Sequence, residues 1–369
     1  MYKSIETLLV EIPTIRPHKM AVATMQTQTL VLIKIVTEDG FTGWGEATTI
    51  GGLGYGDESP ESVKTNIETY FAPLLKSLSG LNFAQTIQTI KRNINGNRFA
   101  KCANQTALLD IQAQRLNLPL SEILGGRLRD SVPVLWVLAS GNTEKDIAEA
   151  KKMIELKRHN VFKLKIGSRP VEDDVAHVLA IKQALGSEIS IRVDVNRAWS
   201  ELEAIKGIQA LQDGGVDLIE QPCAIENLDA MQRLTRRFDI AIMADESLNG
   251  PHSAYQIARN NGASVFAVKV AQSGGLIEGC EVGKIAKLAG IDLYGGTMLE
   301  GPVGTIASAH VFSTFDHLAY GTELFGPLLL TEEILKTPLQ YQNYELVLPT
   351  VSGLGIELDL NKIDNLRRQ

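Results

Sequence analysis

Asp194, Glu220 and Asp245 stand 26 and 25 residues apart, and Lys269 follows 24 residues later. Each ends a short run that is mostly apolar: Ile191–Asp194, Asp217–Glu220, Ala241–Asp245 and Ala267–Lys269. One strand, one helix and two loops consume such an interval, so the four residues would meet on one rim of successive parallel strands. A lone Asp at a strand end more often caps a helix, but three acids in register need another explanation. Carboxylates gathered there cannot all stay ionised without a cation. Oxygen donors alone, with no His or Cys among them, favour Mn²⁺ or Mg²⁺ over zinc.

Lys163-Leu-Lys165 adds two amines on one side of the strand preceding Asp194. Their mutual repulsion, and that of a nearby cation, favours a neutral amine able to take a proton near neutrality. Lys269 lies three strands beyond Asp194, so in an eight-strand ring it would face Lys165 across the cavity. Two amines flanking a carbon, with a divalent ion on the adjoining carboxylate, can move a proton alpha to that carboxylate.

A common rim requires a closed parallel sheet. From Val132 the chain alternates strand candidates (Val132–Leu138, Val161–Ile166, Ser190–Val195, Val216–Glu220, Ile240–Asp245, Val265–Val270, Asp292–Gly295, His317–Gly321) with helix candidates. The helices include Thr143–Arg158 with Thr143 as N-cap, Val171–Leu185, Ser200–Asp213 and Leu276–Leu288. Earlier, Ser4–Ile12 and Thr27–Thr37 read as strands, Asp39-Gly40 as a turn and Phe41–Glu46 as the returning strand of a hairpin. Arg16–Thr24 and the glycine-rich Thr48–Ser59 read as loops. Helices are expected at 61–79, opened by Ser59-Pro60, at 83–94 and at 98–116. The fold class is therefore α/β: a (β/α) barrel of modified TIM type over 131–324, with an α+β N-terminal capping domain over 1–130. Residues 325–369 are expected to return and pack on the capping domain.

A chain of 369 residues is long for one core, which supports this division. Net charge −7, without a long Lys/Arg stripe, argues against nucleic acid as partner. Cys102, Cys223 and Cys280 are odd in number and far apart, which excludes a Cys-x-x-Cys zinc cage. No run of 18 apolar residues predicts a membrane span, and Met1–Glu6 lacks a signal-peptide apolar region, so a cytoplasmic protein is expected.

Several features read as bland. Gly52-Leu-Gly54-Tyr-Gly56 imitates a nucleotide loop but lacks a surrounding βαβ unit, so a lid is expected. His177 and His252 read as surface residues, and His310 and His317 lack the Asp partner of a histidine base. Alternation points Glu246 away from the rim, so at best it supports the neighbouring ligand from behind, and Cys223 has no base beside it in sequence.

Taken with Thr48–Gly56, Asp194-Val-Asn196, Glu220-Gln-Pro222, Ala244–Ser247, Gly296–Glu300 and Thr322–Phe325, this ladder of lysines and acids resembles the muconate lactonizing enzyme subgroup of the enolase superfamily. The likeness runs over essentially the whole chain. It implies Asp194, Glu220 and Asp245 as ligands of Mn²⁺ (or Mg²⁺), and Lys165 as acid/base with Lys163 tuning it. Lys269 would stabilise charge on the opposite face, and Glu323 would be a further polar member of the site. Ile50 and Tyr55, from a loop that closes the barrel mouth, and Phe325 would contact substrate. The expected reaction is conversion of cis,cis-muconate to muconolactone through a metal-stabilised enediolate, with a small dicarboxylate as the bound partner and a homo-oligomer, an octamer in the family, as the assembly. Chloromuconate cycloisomerase, dipeptide epimerase and o-succinylbenzoate synthase share the lysine pair and stay as alternatives. No Asp-x-Asp follows the eighth strand, which weakens the dipeptide reading. A lysine Schiff-base aldolase and a non-catalytic barrel are the readings from other classes.

Overall fold

The computed structural model describes residues 2–20, 24–78 and 80–368. Three antiparallel strands open the chain in sheet order: β1 (Tyr2–Lys19), β2 (Thr24–Thr37) and β3 (Thr42–Thr48). The first two are longer than sequence suggests. Pairing resumes past an irregularity between Pro13 and His18, with His18 opposite Met25 and Lys19 opposite Thr24. Most of the expected Arg16–Thr24 loop is thus strand, and its residues 21–23 lie outside the described residues. From Thr14 to His18 the even positions are the more buried ones and the odd positions are exposed, as a two-residue period requires.

The helix expected at 61–79 starts at Pro60, where the Ser59 hydroxyl accepts the Ser62 N–H at 3.2 Å. It passes through a π-helical turn at Ile67–Phe71 before the segment Ala72–Ser77. The long helix Arg98–Leu116 lies against β3 so closely that only glycine fits between them. A Cβ on Gly45 would sit 1.9 Å from the Ala103 carbonyl oxygen, and one on Gly43 2.1 Å from that of Ala107.

The second sheet is parallel and follows chain order: β5 (Trp136–Leu138), β6 (Val161–Lys165), β7 (Ser190–Asp194), β8 (Leu218–Glu220), β9 (Ala241–Ala244), β10 (Val265–Val268) and β11 (Asp292–Gly295). It is the barrel wall, seven strands curled round a common interior. Two sequence expectations change here. Val132–Leu138 is two strands, because β4 (Ser131–Pro133) leaves the barrel and pairs with β13 (Glu345–Val347), which follows β12 (Tyr341–Gln342). His317–Gly321 is turn, and the eighth stave shrinks to one residue. Thr322 bridges Val134 on one side and Gly295 on the other, closing the ring. Gly321, at φ +61°, supplies the bend that forbids a longer strand. In addition, Asn142 and not Thr143 caps the helix Thr143–Glu155, with its side chain accepting the Lys145 N–H at 3.0 Å.

The N-terminal sheet is pinned to the barrel mouth. Both Glu46 carboxylate oxygens accept backbone N–H groups at the start of the helix Pro302–Phe312, from Gly301 at 2.5 Å and Gly304 at 2.9 Å. Burial, reinforced by nearby Glu300, pushes the Glu46 carboxyl up to about 8 despite those donors. Gln28 donates to the carbonyls of Met298 and Leu299. The chain returns to β1 at two places beyond the barrel: Thr331 N–H bonds Pro13 O, and Arg368 N–H bonds Leu9 O.

Gly45→Ala should therefore lower stability by ~1–3 kcal/mol, the usual cost of overpacking, since backbone must move to admit the methyl. Urea unfolding at fixed m-value checks this. A midpoint equal to that of the unsubstituted protein would contradict the close-packing account.

Candidate active site

Strand ends place the charged residues. Lys163 and Lys165 on β6, Asp194 on β7 and Glu220 on β8 all point into the barrel, paired in register across neighbouring strands (Lys165 with Asp194, Asp194 with Glu220). Asp245 follows β9 directly, and Lys269 follows β10 at the start of the short helix Val270–Ser273. One ligand atom from each of Asp194, Glu220 and Asp245 can be chosen so that the three lie within 4.8 Å of one another. All three residues are fully buried.

The amines interleave with these acids. Lys165 Nζ donates to Asp194 Oδ2 at 2.5 Å. Lys163 Nζ donates to Glu220 at 2.7 Å and to Glu323 at 2.9 Å, and lies 3.8 Å from Asp194. On the other face Lys269 Nζ donates to Asp245 Oδ2 at 2.6 Å and to the Tyr55 hydroxyl at 2.5 Å. The Tyr55 hydroxyl reaches Asp245 Oδ2 at 2.8 Å. The glycine-rich loop therefore folds over the mouth and touches the cluster through Tyr55, while Ile50 is buried at the loop's start. Phe325 is fully enclosed, its ring 5.0 Å from Trp136 and 6.5 Å from His18.

Without a cation, the carboxylates dominate the field at Lys163. Burial pushes this amine down, but Glu220 and Glu323 outweigh it and hold the ammonium form well above the ordinary lysine range. Lys269 is raised likewise, its desolvation overcome chiefly by Asp245. Among the acids, burial and the Asp194 charge push Glu220 well up, against the pull of Lys163. Burial acts on Asp194 too, yet Lys165 and Lys163 bring it below the usual carboxylate range.

Glu220 Oε1 and Asp245 Oδ1 are buried without a hydrogen-bond partner. Orphaned carboxylate oxygens are costly in a dry interior, and a cation is the partner that would satisfy several at once. The donor set is all oxygen, so the residues fit a hard divalent ion.

The surrounding backbone is built to hold these groups. Asn196 and Arg197, just past Asp194, and Gln221, just past Glu220, adopt positive φ (47°, 69° and 34°). Non-glycine residues pay for that conformation, and such strain gathers at functional sites. Asn196 N–H bonds Asp194 Oδ1 at 2.9 Å, and its amide bridges Asp194 to Glu246 at 3.2 Å each. The Gln221 side chain accepts the Asp245 N–H at 3.0 Å, and Gln272 donates to the Asp245 carbonyl at 2.8 Å.

Glu246 supports the site at one remove, buried and linked to Asp194 through Asn196, and Arg197 lies 3.3 Å from it. Sequence reading missed two histidines. His177 is not a surface residue; it is buried, with Nδ1 2.8 Å from the Thr143 hydroxyl. His18 was overlooked, although the alternation of β1 buries it, within the electrostatic reach of Lys165 and Lys163. A cavity of about 920 Å³ lies elsewhere, between β2, β3 and the C-terminal segment near Trp44 and Pro338. It is an open groove, whereas the charged cluster is sealed.

Comparison with known proteins places this geometry. A family model described as mandelate racemase / muconate lactonizing enzyme, N-terminal domain, matches residues 4–125. One described as enolase C-terminal domain-like matches residues 145–362. The chain belongs to the mandelate racemase / muconate lactonizing enzyme family of the enolase superfamily. Within that family it is 76% identical to muconate cycloisomerase 1 of Acinetobacter baylyi, over 100% of both chains. It is 41% identical to a chloromuconate cycloisomerase of Delftia acidovorans, over 99% of each. Among solved structures, muconate lactonizing enzyme from Pseudomonas fluorescens, complexed with muconolactone, superposes with a TM-score of 0.97 at 52% identity, covering 100% of this chain and 99% of that one. No helix among the described residues is long and apolar enough to cross a membrane.

Calorimetric titration of the purified protein with Mn²⁺ should give one site per chain. Glu220→Gln or Asp245→Asn should weaken it by more than the roughly 10- to 100-fold that outer-shell changes cost. Unchanged affinity in both variants would remove the triad as the metal site.

Proposed function

We infer that the protein is an isomerase that converts cis,cis-muconate to muconolactone. The observation that carries the reading is the arrangement of amines on two faces, Lys163 and Lys165 on β6 and Lys269 after β10, about one buried carboxylate triad. Full-length identity of 76% to a muconate cycloisomerase supports this substrate over its chlorinated relative, where identity falls to 41%.

Asp194, Glu220 and Asp245 would hold Mn²⁺ or Mg²⁺, and the ion would draw one substrate carboxylate and offset the negative charge that develops on it. Lys165 delivers a proton to the carbon alpha to that carboxylate while the opposite carboxylate closes on the distal double bond. In the reverse direction Lys165 removes the proton and the lactone opens. Lys163, tied to Glu220 and Glu323, stays charged and keeps the neighbouring amine positioned over Asp194. Lys269 supplies positive charge on the far face. Ile50, Tyr55 and Phe325 form the substrate wall, and closure of the loop around Tyr55 excludes water, which strengthens every charge interaction inside.

The ultraviolet absorbance of cis,cis-muconate follows the reaction directly. With Mn²⁺ present the absorbance should fall promptly, and Lys165→Ala should be slower by ~10²–10⁴-fold, the span of general acid–base catalysis. Chelation should abolish turnover and added Mn²⁺ restore it. Persistent absorbance with the unsubstituted enzyme would overturn the assignment.

A further inference from the structure

His18 is a buried titratable group near the cluster that this mechanism leaves unused. It is the penultimate residue of β1, only 1% exposed, and its Nδ1 has no hydrogen-bond partner. Two contacts fix the strand end that carries it. Lys19 N–H reaches the Ala139 carbonyl at 3.4 Å, and Arg16 Nη2 donates to the Val137 carbonyl at 2.8 Å. His18 is thereby held at the C-terminal end of β5, on the barrel's mouth, with the Phe325 ring 6.5 Å away. Burial, then Lys165, Arg16 and Lys163, hold the imidazole well below its ordinary range, so the ring is neutral with one N–H to give.

The position matters because a six-carbon diacid has two ends. The acid triad sits on β7, β8 and just past β9, so a carboxylate drawn there leaves the other end to extend across the mouth. His18 lies on the opposite side of Lys165 from the triad, next to the seam that Thr322 closes. A buried ring nitrogen without a partner, whether it donates or accepts, is costly unless a ligand completes it. We propose that His18 is the recognition residue for the second carboxylate: its Nδ1–H donates to that group and holds it in line for closure on the double bond. The proposal rests on the dicarboxylate reading above but assigns a residue and a role that reading lacks. His18 is a substrate-orienting residue here; it exchanges no proton with the reacting carbon.

Affinity separates the two claims. Adipate, which cannot react, and hexanoate, its single-ended counterpart, would be titrated calorimetrically into Mg²⁺-loaded enzyme. His18→Phe keeps an aromatic ring but removes the donor, and His18→Asn restores one near the Nδ1 position. The unsubstituted enzyme and His18→Asn should prefer adipate over hexanoate, and His18→Phe should lose roughly 10- to 100-fold in adipate affinity alone. With muconate, His18→Phe should raise KM more than it lowers kcat, which a merely structural defect would not do. Full adipate preference in His18→Phe, with melting temperature unchanged, overturns the proposal even where muconate is turned over. Loss of that preference in an enzyme that leaves muconate untouched would instead sustain the His18 assignment and remove the reaction.

Discussion

Seven ionisable side chains share one sealed volume, and the rest of the structure answers to their need for mutual neutralisation. Asp194, Glu220, Asp245 and Glu323 stand against Lys163, Lys165 and Lys269, and none of the seven side chains is more than 10% exposed. Removing such groups from water costs several kcal/mol per ion, recovered only where geometry pairs them well. With every group ionised, four negative charges exceed three positive ones. A divalent cation reverses that sign and gives a dianionic substrate a reason to enter.

This constraint explains why a barrel alone is insufficient. Open to water, the lysines would be solvated and the acids screened. The N-terminal sheet supplies the seal. Glu46 and Gln28 lock its strands to the loop and helix start at 298–304, which leaves the glycine-rich loop free to lay Tyr55 on Asp245 and Lys269. Gly43 and Gly45 let the Arg98–Leu116 helix approach β3 and so complete the cap. Rigidity round two of the acids comes from strained residues, Asn196 and Arg197 past Asp194 and Gln221 past Glu220, that turn the chain sharply there.

The ladder was legible in the sequence because each strand-helix unit returns one residue to the same rim, so a spacing near 25 survives in the chain. Lysines two residues apart in Lys163-Leu-Lys165 share a face by simple alternation. The electrostatic outcome was not legible: which carboxylate meets which amine depends on register between strands, and Glu323 arrives from a stave only one residue long. For the same reason the eighth strand was misplaced at His317–Gly321. His18 escaped notice because its signal is a two-residue period in an 18-residue strand interrupted near two prolines. The burial of His177 is not legible in its own helix because its partner, Thr143, comes from another helix.

The most direct test of the central claim is the isotopic composition of product made in D₂O. Nuclear magnetic resonance of the muconolactone should reveal one deuteron, in a single configuration, at the carbon alpha to the free carboxylate, because one amine on one face delivers it. Deuterium absent from that carbon, or distributed over both configurations, would contradict a sealed cluster with Lys165 as its proton carrier.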